Sequence, residues 1–285
     1  VVSWFPENIV QAMVKQDMLQ IIVFAIFIGC ALLTLGKEVD ILVKGFDQCS
    51  KLMLKITDFV MAFSPVGIAA LMAKLVNSIS GATVKDVITF IIMDYVAAIV
   101  VLVVMYPLLL KLLSGLSPLT FFKKITEPML VAITTTSSAA TLPVSLKTAG
   151  TKLGIPENVY GFTLPLGNTC GMNGFAIFIG LCCIFCSNVY GVEITFSKLV
   201  LYVFLGIILS VGAAGVKGAG IVMSTVLLEA IGMPLTVIPI FAAIWPAIDP
   251  PHTLLNNVSD IVGTSIIAKR LGLIDEKIYN SEIVD

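Results

Sequence analysis

The chain has 285 residues, 58% hydrophobic and 12% charged, with a formal net charge of -1. Soluble domains average about 45–50% apolar and about 25% charged residues, so this composition excludes an ordinary soluble globule. The near-zero charge gives no footing for nucleic acid, and the alternating ten-residue pattern of an outer-membrane barrel is absent. An all-α integral membrane protein is expected, with long apolar helices crossing lipid.

In chain order, the first apolar segment runs over about Leu19–Leu35. The second, Ile56–Ala73, carries Pro65 and Gly67, and the third, Val87–Leu110, contains Asp94. Thr126–Val144 differs in kind, with the small, hydroxylated run Thr134-Thr-Thr-Ser-Ser-Ala-Ala-Thr-Leu-Pro143 inside it. Phe162–Phe185 is interrupted by Asn168-Thr-Cys-Gly-Met-Asn-Gly174, and Leu199–Ile231 by Gly212-Ala-Ala-Gly-Val-Lys-Gly-Ala-Gly220. The last segment covers about Thr236–Ala268.

Two of these interruptions read as hairpin tips, because neither apolar arm is long enough to cross about 30 Å of hydrocarbon alone. Non-helical backbone survives at that depth only when buried in protein or facing water. Two re-entrant hairpins are therefore expected, around Thr126–Val144 and over Leu199–Ile231. A hairpin followed by a polar-interrupted helix occurs twice, in about Phe122–Phe185 and Leu199–Ala268. That repetition is the pattern of a secondary transporter with inverted repeats and a midplane site.

Basic residues test the topology. With the C-terminus in the cytoplasm and each hairpin returning to its own side, Lys15, Lys74, Lys85, Lys198 and Lys217 lie outside. Every other Lys and the single Arg lies inside, as the positive-inside rule requires. The cysteines sit mostly in apolar segments, and Cys182, Cys183 and Cys186 read as small hydrophobes. No adjacent His or acid completes a metal site of the usual ligands. The chain starts at Val1, and a fragment of a longer protein is expected.

The last segment is the most informative. Asp249, His252, Thr253, Asn256 and Asp260 fall at i, i+3, i+4, i+7 and i+11, which at about 100° per residue lies within one arc of a helix. Charged residues are costly at membrane depth and usually face a cavity or pathway. Asp249-Pro-Pro251 should kink the helix beside them. A buried carboxylate needs a cationic partner. For Asp249 that partner is a substrate ammonium or, alternatively, His252 three residues on.

Several motifs occur in order along the chain: Thr136-Ser-Ser-Ala-Ala-Thr-Leu-Pro143, Leu164-Pro-Leu-Gly167, Ala214-Gly-Val-Lys-Gly-Ala-Gly220, and the stretch from Asp249 through Gly263-Thr264. With these the chain resembles the dicarboxylate/amino acid:cation symporters, the glutamate-transporter homologue family. Phe5-Pro-Glu-Asn8 looks like the approach to the end of that family's fourth helix. Helices five and six, hairpin one, helix seven, hairpin two and helix eight follow, and the earlier helices are absent. The resemblance implies a homotrimer in the inner or plasma membrane that works as an elevator. Residues 1–80 would end the scaffold and residues 81–285 would form the moving transport domain.

The same resemblance implies the site. Asp249 would hold the substrate's amino group, with His252, Thr253 and Asn256 reaching the rest of it. Ser137 and Ser138 at hairpin one, Thr169 on helix seven and Gly215 in hairpin two would complete the substrate shell. Gly167, Met172, Asn173, Ser210, Asn256 and Asp260 would serve sodium, a hard cation preferring oxygen. His252 stands where acidic-substrate members carry Arg. It cannot form the bidentate fork of a guanidinium on a carboxylate, which favours a neutral or small polar amino acid. Histidine titrates near neutrality, which leaves a proton as an alternative coupling ion. The family's Asn-Met-Asp-Gly-Thr is here Gly171-Met172-Asn173-Gly174-Phe175, so one sodium site loses a charge.

The function expected is therefore cation-coupled symport or exchange of an amino acid. A dicarboxylate or acidic amino acid symporter is the alternative within the family. A transport-inactive substrate-binding receptor is the alternative outside it. A channel lacks a readable continuous polar pore. No enzyme is expected: with His252 the only histidine, the two-histidine zinc-protease motif cannot form.

Overall fold

The computed structural model describes residues 5–15, 18–63, 66–67, 69–70, 81–213 and 219–281. Their regular structure is all helical, with no strand among the described residues. Helix α1 (Ile9–Val14) is capped by Asn8, whose side chain accepts from the Val10 and Gln11 amides. Helix α2 (Met18–Leu35) leads through a 3-10 turn into α3 (Asp40–Ala62). The helix thus begins well before the apolar segment expected from Ile56. Its opening turns carry Lys44, Asp47 and Lys51 on an exposed surface, and the Lys51–Asp47 pair spans one turn at 2.6 Å.

Helix α4 (Gly81–Val100) continues through a π-helical turn, Val101–Met105, into α5 (Tyr106–Ser114). Pro107 explains the turn: it has no N–H for the carbonyl four residues back, and a wider turn keeps the rod continuous. The run 84–114 and the run 157–189 are each long and apolar enough to cross a membrane. The outward face of α4 and the π-helical turn presents Ile88, Ile92, Val96, Ile99 and Val103, all exposed, as a lipid- or partner-facing surface does.

Helix α6 (Pro118–Lys124), capped by Ser117, precedes α7 (Thr126–Thr135) and α8 (Ser138–Thr151). At ten and fourteen residues, α7 and α8 each fall short of the roughly 20 residues a span requires. They meet at Thr136, which has φ 50° and is the only non-glycine with positive φ among the described residues. A β-branched residue in that region is strained, and Thr136 is the point at which α7 gives way to α8. Ser137 then caps α8 by accepting from the Ala140 amide.

Helices α9 (Glu157–Cys170) and α10 (Asn173–Val189) are separated only at Gly171 and Met172. The break lies later than expected, since Gly167 and Thr169 are still helical. Helix α11 (Phe196–Gly212), capped by Thr195, and α12 (Ala219–Ala230) flank the glycine-rich stretch, whose residues 214–218 lie outside the described ones. Helix α13 (Ile238–Arg270) has 33 residues and is about 50 Å long at 1.5 Å per residue. The short α14 (Glu276–Asn280) ties the end of the chain back to α6 through Tyr279 Oη donating to the Ser117 carbonyl and Lys124 Nζ donating to the Ile278 carbonyl.

Helix α13 runs unbroken through Pro246, Pro250 and Pro251. Pro251 cannot donate to the Ala247 carbonyl, and Tyr95 of α4 supplies the missing donor, its hydroxyl lying 2.7 Å from that oxygen. A neighbouring helix thereby satisfies the backbone that proline frees, as intramembrane helices require.

Two apolar cores form. One gathers Phe90, Phe178, Phe185, Phe241, Trp245 and Ile248. The other gathers Leu110, Phe121, Leu164, Leu254, Val258 and Ile261. Helix α13 contributes to both, and the seam between its Ile248 and Leu254 holds Asp249, His252 and Thr253. Helices α4, α5, α7, α8, α9, α10 and α12 all pack on α13. Helices α1 and α2 lie together, and α2 reaches α12.

Candidate functional site at the waist of the long helix

Burial of polar side chains at this seam demands partners, because an unpaired polar group in an apolar interior costs several kcal/mol. Most of the partners come from other helices. His252 is 2% exposed and Asp94 is 0% exposed, and His252 Nε2 lies 2.8 Å from Asp94 Oδ1. The imidazole is walled by Phe178 at 5.9 Å and Trp245 at 6.3 Å between ring centroids. His252 is thus paired with Asp94 on α4, a helix other than its own.

Asn256 spans the break between α9 and α10. Its Oδ1 accepts from the Gly174 amide at 2.7 Å, and its Nδ2 donates to Met172 Sδ at 3.3 Å. Both polar ends of the side chain are therefore engaged in holding the break. Gly174 itself rests on α13: a Cβ there would overlap the carbonyl, Cα and carbonyl carbon of His252. The first turn of α10 can dock so closely only because this residue has no side chain.

Asp260 lies one turn beyond Asn256, with its carboxylate against Gly167 and Gly171 of the neighbouring helix. A Cβ at either glycine would overlap it. The Asn168 side-chain oxygen, in the same last turn of α9, is buried without a hydrogen-bond partner. The Asp260 carboxylate thus lies at the C-terminal end of α9, and carboxylate and carbonyl oxygens are the ligand types that hard cations prefer.

Ser138 is buried and receives Asn257 Nδ2 at 3.2 Å; the same amide donates to the Thr253 carbonyl at 2.8 Å. Asn257 thereby ties the junction of α7 and α8 to α13. It was not singled out from the sequence, because at i+8 from Asp249 it lies just outside the polar arc. Ser137 is used as the α8 cap. Thr253 is buried on α13, as is Asp249.

Not every expected residue joins this cluster. Thr169 Oγ1 donates to the Pro165 carbonyl within α9, and Ser210 Oγ to the Ile207 carbonyl within α11. Asn173 has an exposed side chain and donates its amide to the Gly171 carbonyl. Gly215 lies outside the described residues. Cys182, Cys183 and Cys186 are buried in the first core, and no cluster of three or more metal-type ligands (His, Cys, Asp or Glu) occurs among the described residues.

A sequence profile of the sodium:dicarboxylate symporter family matches residues 1–270. Among curated relatives, an uncharacterized symporter of Haemophilus influenzae is 30% identical over 92% of this chain and 62% of its own length. The neutral amino acid transporter B(0) of Rattus norvegicus is 29% identical over 89% of this chain and 46% of its own. The proton/glutamate-aspartate symporter of Bacillus subtilis is 27% identical over 93% of this chain and 63% of its own. The chain therefore spans only about half to three-fifths of the length of these relatives.

Proposed function

From the premise that this chain belongs to the sodium:dicarboxylate symporter family, a family of membrane transporters and not of enzymes, we propose that it performs cation-coupled symport or exchange of a neutral or small polar amino acid. One observation carries the reading. Polar groups of α13 meet the α7–α8 junction and the α9–α10 break at the seam of two apolar cores. Broken helices converging near the middle of a long helix are what a midplane transport site needs.

In this reading α7–α8 and α11–α12 are re-entrant hairpins of two inverted repeats, supported by arms too short to span alone. Residues 1–80 belong to a trimerisation scaffold, and residues 81–285 form a transport domain that moves as an elevator. Asp249 takes the substrate's ammonium, Ser137, Ser138, Thr169 and Gly215 surround its carboxylate, and Thr253 and Asn256 complete the pocket. The coupling cation is held at Asp260 with oxygens from the end of α9, where Gly167 and Asn168 lie, and from the break at Met172, with Asn256, Asn173 and Ser210 as further candidates. Relatives named for a neutral amino acid, for glutamate and aspartate with a proton, and for L-cystine support an amino acid as the substrate.

Thermal unfolding of the purified protein tests this, because a ligand stabilises the fold that binds it. The screen covers amino acids and dicarboxylates in sodium, in potassium and across pH. The expected result is a neutral amino acid whose stabilisation depends on sodium or on pH. Equal stabilisation in every cation and at every pH would contradict the coupling.

A further inference from the structure

We propose that Asp94 is a specificity-determining residue of this transport site: it anchors His252 and makes the side-chain end of the pocket reject anionic groups in favour of neutral hydrogen-bonding side chains. The inference rests on the transport reading and goes beyond it by naming a residue on a different helix from the polar stripe. Asp94 is the only charged residue in Val87–Leu110. It sits on a helix whose outer face is apolar, yet its carboxylate turns inward and is fully buried.

The surroundings make that charge count. Phe178 and Trp245 wall the pair, and low local polarity strengthens electrostatic effects that water would screen. From α10 no charged side chain faces the pair, because Asn173–Val189 contains none. From α13 the charges on either side of His252 are the acids Asp249 and Asp260. An imidazole at position 252 is therefore already engaged by a carboxylate. A substrate carboxylate brought to this end would meet Asp94, with the imidazole already engaged.

Three polar atoms around the pair have no hydrogen-bond partner: Asp94 Oδ2, His252 Nδ1 and Trp245 Nε1. The carboxylate oxygen accepts and the indole N–H donates. A hydroxyl or carboxamide, which does both, matches them; a second carboxylate does not. Asp94 also limits what another residue at position 252 could do, since an arginine placed there would be captured by the same carboxylate.

The test compares L-asparagine and L-aspartate as competitors of uptake, and as stabilisers in thermal unfolding, for four proteins: wild type, Asp94→Asn, His252→Arg and the double variant. Wild type and His252→Arg should both prefer asparagine. The double variant should raise the aspartate-to-asparagine ratio by at least about tenfold, in keeping with the coupling energies of close, desolvated charge pairs. His252→Arg alone moving the ratio as far as the double variant would overturn the assignment, as would a double variant with the wild-type ratio. Should the double variant not fold, Asp94→Asn carries the test alone: a rise in the ratio supports the proposal and an unchanged ratio overturns it. A wild type that responds to no amino acid at all overturns the transport reading and this inference together. A response with an unaltered ratio overturns only the inference.

Discussion

Replacing Asp260 with asparagine is expected to remove the sodium response of the protein while leaving it folded. The carboxylate is packed against Gly167 in the last turn of α9 and Gly171 just past its end, and the Asn168 side-chain oxygen of that turn is buried without a hydrogen-bond partner. Asparagine has the same shape, so the two glycine contacts survive. It lacks the charge that makes this oxygen cluster attractive to a cation. Losing one partner of a buried charge pair costs about 2–5 kcal/mol, so sodium affinity should fall by about thirtyfold or more. Without sodium the variant should be at least as stable as wild type, because it no longer buries an uncompensated carboxylate. The check is a sodium titration followed by thermal unfolding. A midpoint within threefold of wild type would remove Asp260 from the cation site.

Gly174→Ala should destabilise the protein by about 3 kcal/mol, near the top of the usual range for overpacking. The added methyl would overlap three backbone atoms of His252, and backbone at the centre of a 33-residue helix cannot turn aside as a flexible side chain can. The shift would also strain the Gly174 amide to Asn256 bond, at 2.7 Å, and so open the α9–α10 break. Gly180 on the same helix is the control. Nothing lies within 4 Å of a Cβ there, and Ala is favoured over Gly in a helix by about 1 kcal/mol. Gly180→Ala should therefore be neutral or stabilising. Thermal unfolding of both variants decides: equal effects would mean that the close approach of α10 to α13 is not what Gly174 provides.

The parts of this site that are written locally were readable from the chain. The polar stripe follows from helical spacing alone, and α13 carries it across the seam of the two cores. The breaks between α7 and α8 and between α9 and α10 each fall where small, hydroxylated or glycine-containing residues interrupt an apolar run. What was not readable is pairing at a distance. Asp94 and His252 are 158 residues apart, and an acid in an apolar helix does not name its partner. Tyr95 is similarly silent in the sequence, although Pro251 announces that some donor must reach the Ala247 carbonyl. Thr169 and Ser210 are marked only by their motif positions. A hydroxyl in a helix can bond back to a preceding carbonyl, and in this fold both do so.

The pairing of Asp94 with His252 also sharpens the meaning of the histidine. Read alone, it is the absence of an arginine. In the fold it is half of a buried pair, walled by Phe178 and Trp245. The reading of a neutral substrate then rests on an acid that is present as well as on a base that is missing.

Uptake of radiolabelled amino acids by the purified protein in liposomes tests the central claim most directly. The account predicts that a neutral amino acid accumulates when sodium or protons are more concentrated outside, and that accumulation collapses when the gradient is removed. Absence of substrate-dependent flux across the whole amino-acid panel, under either gradient, would contradict it.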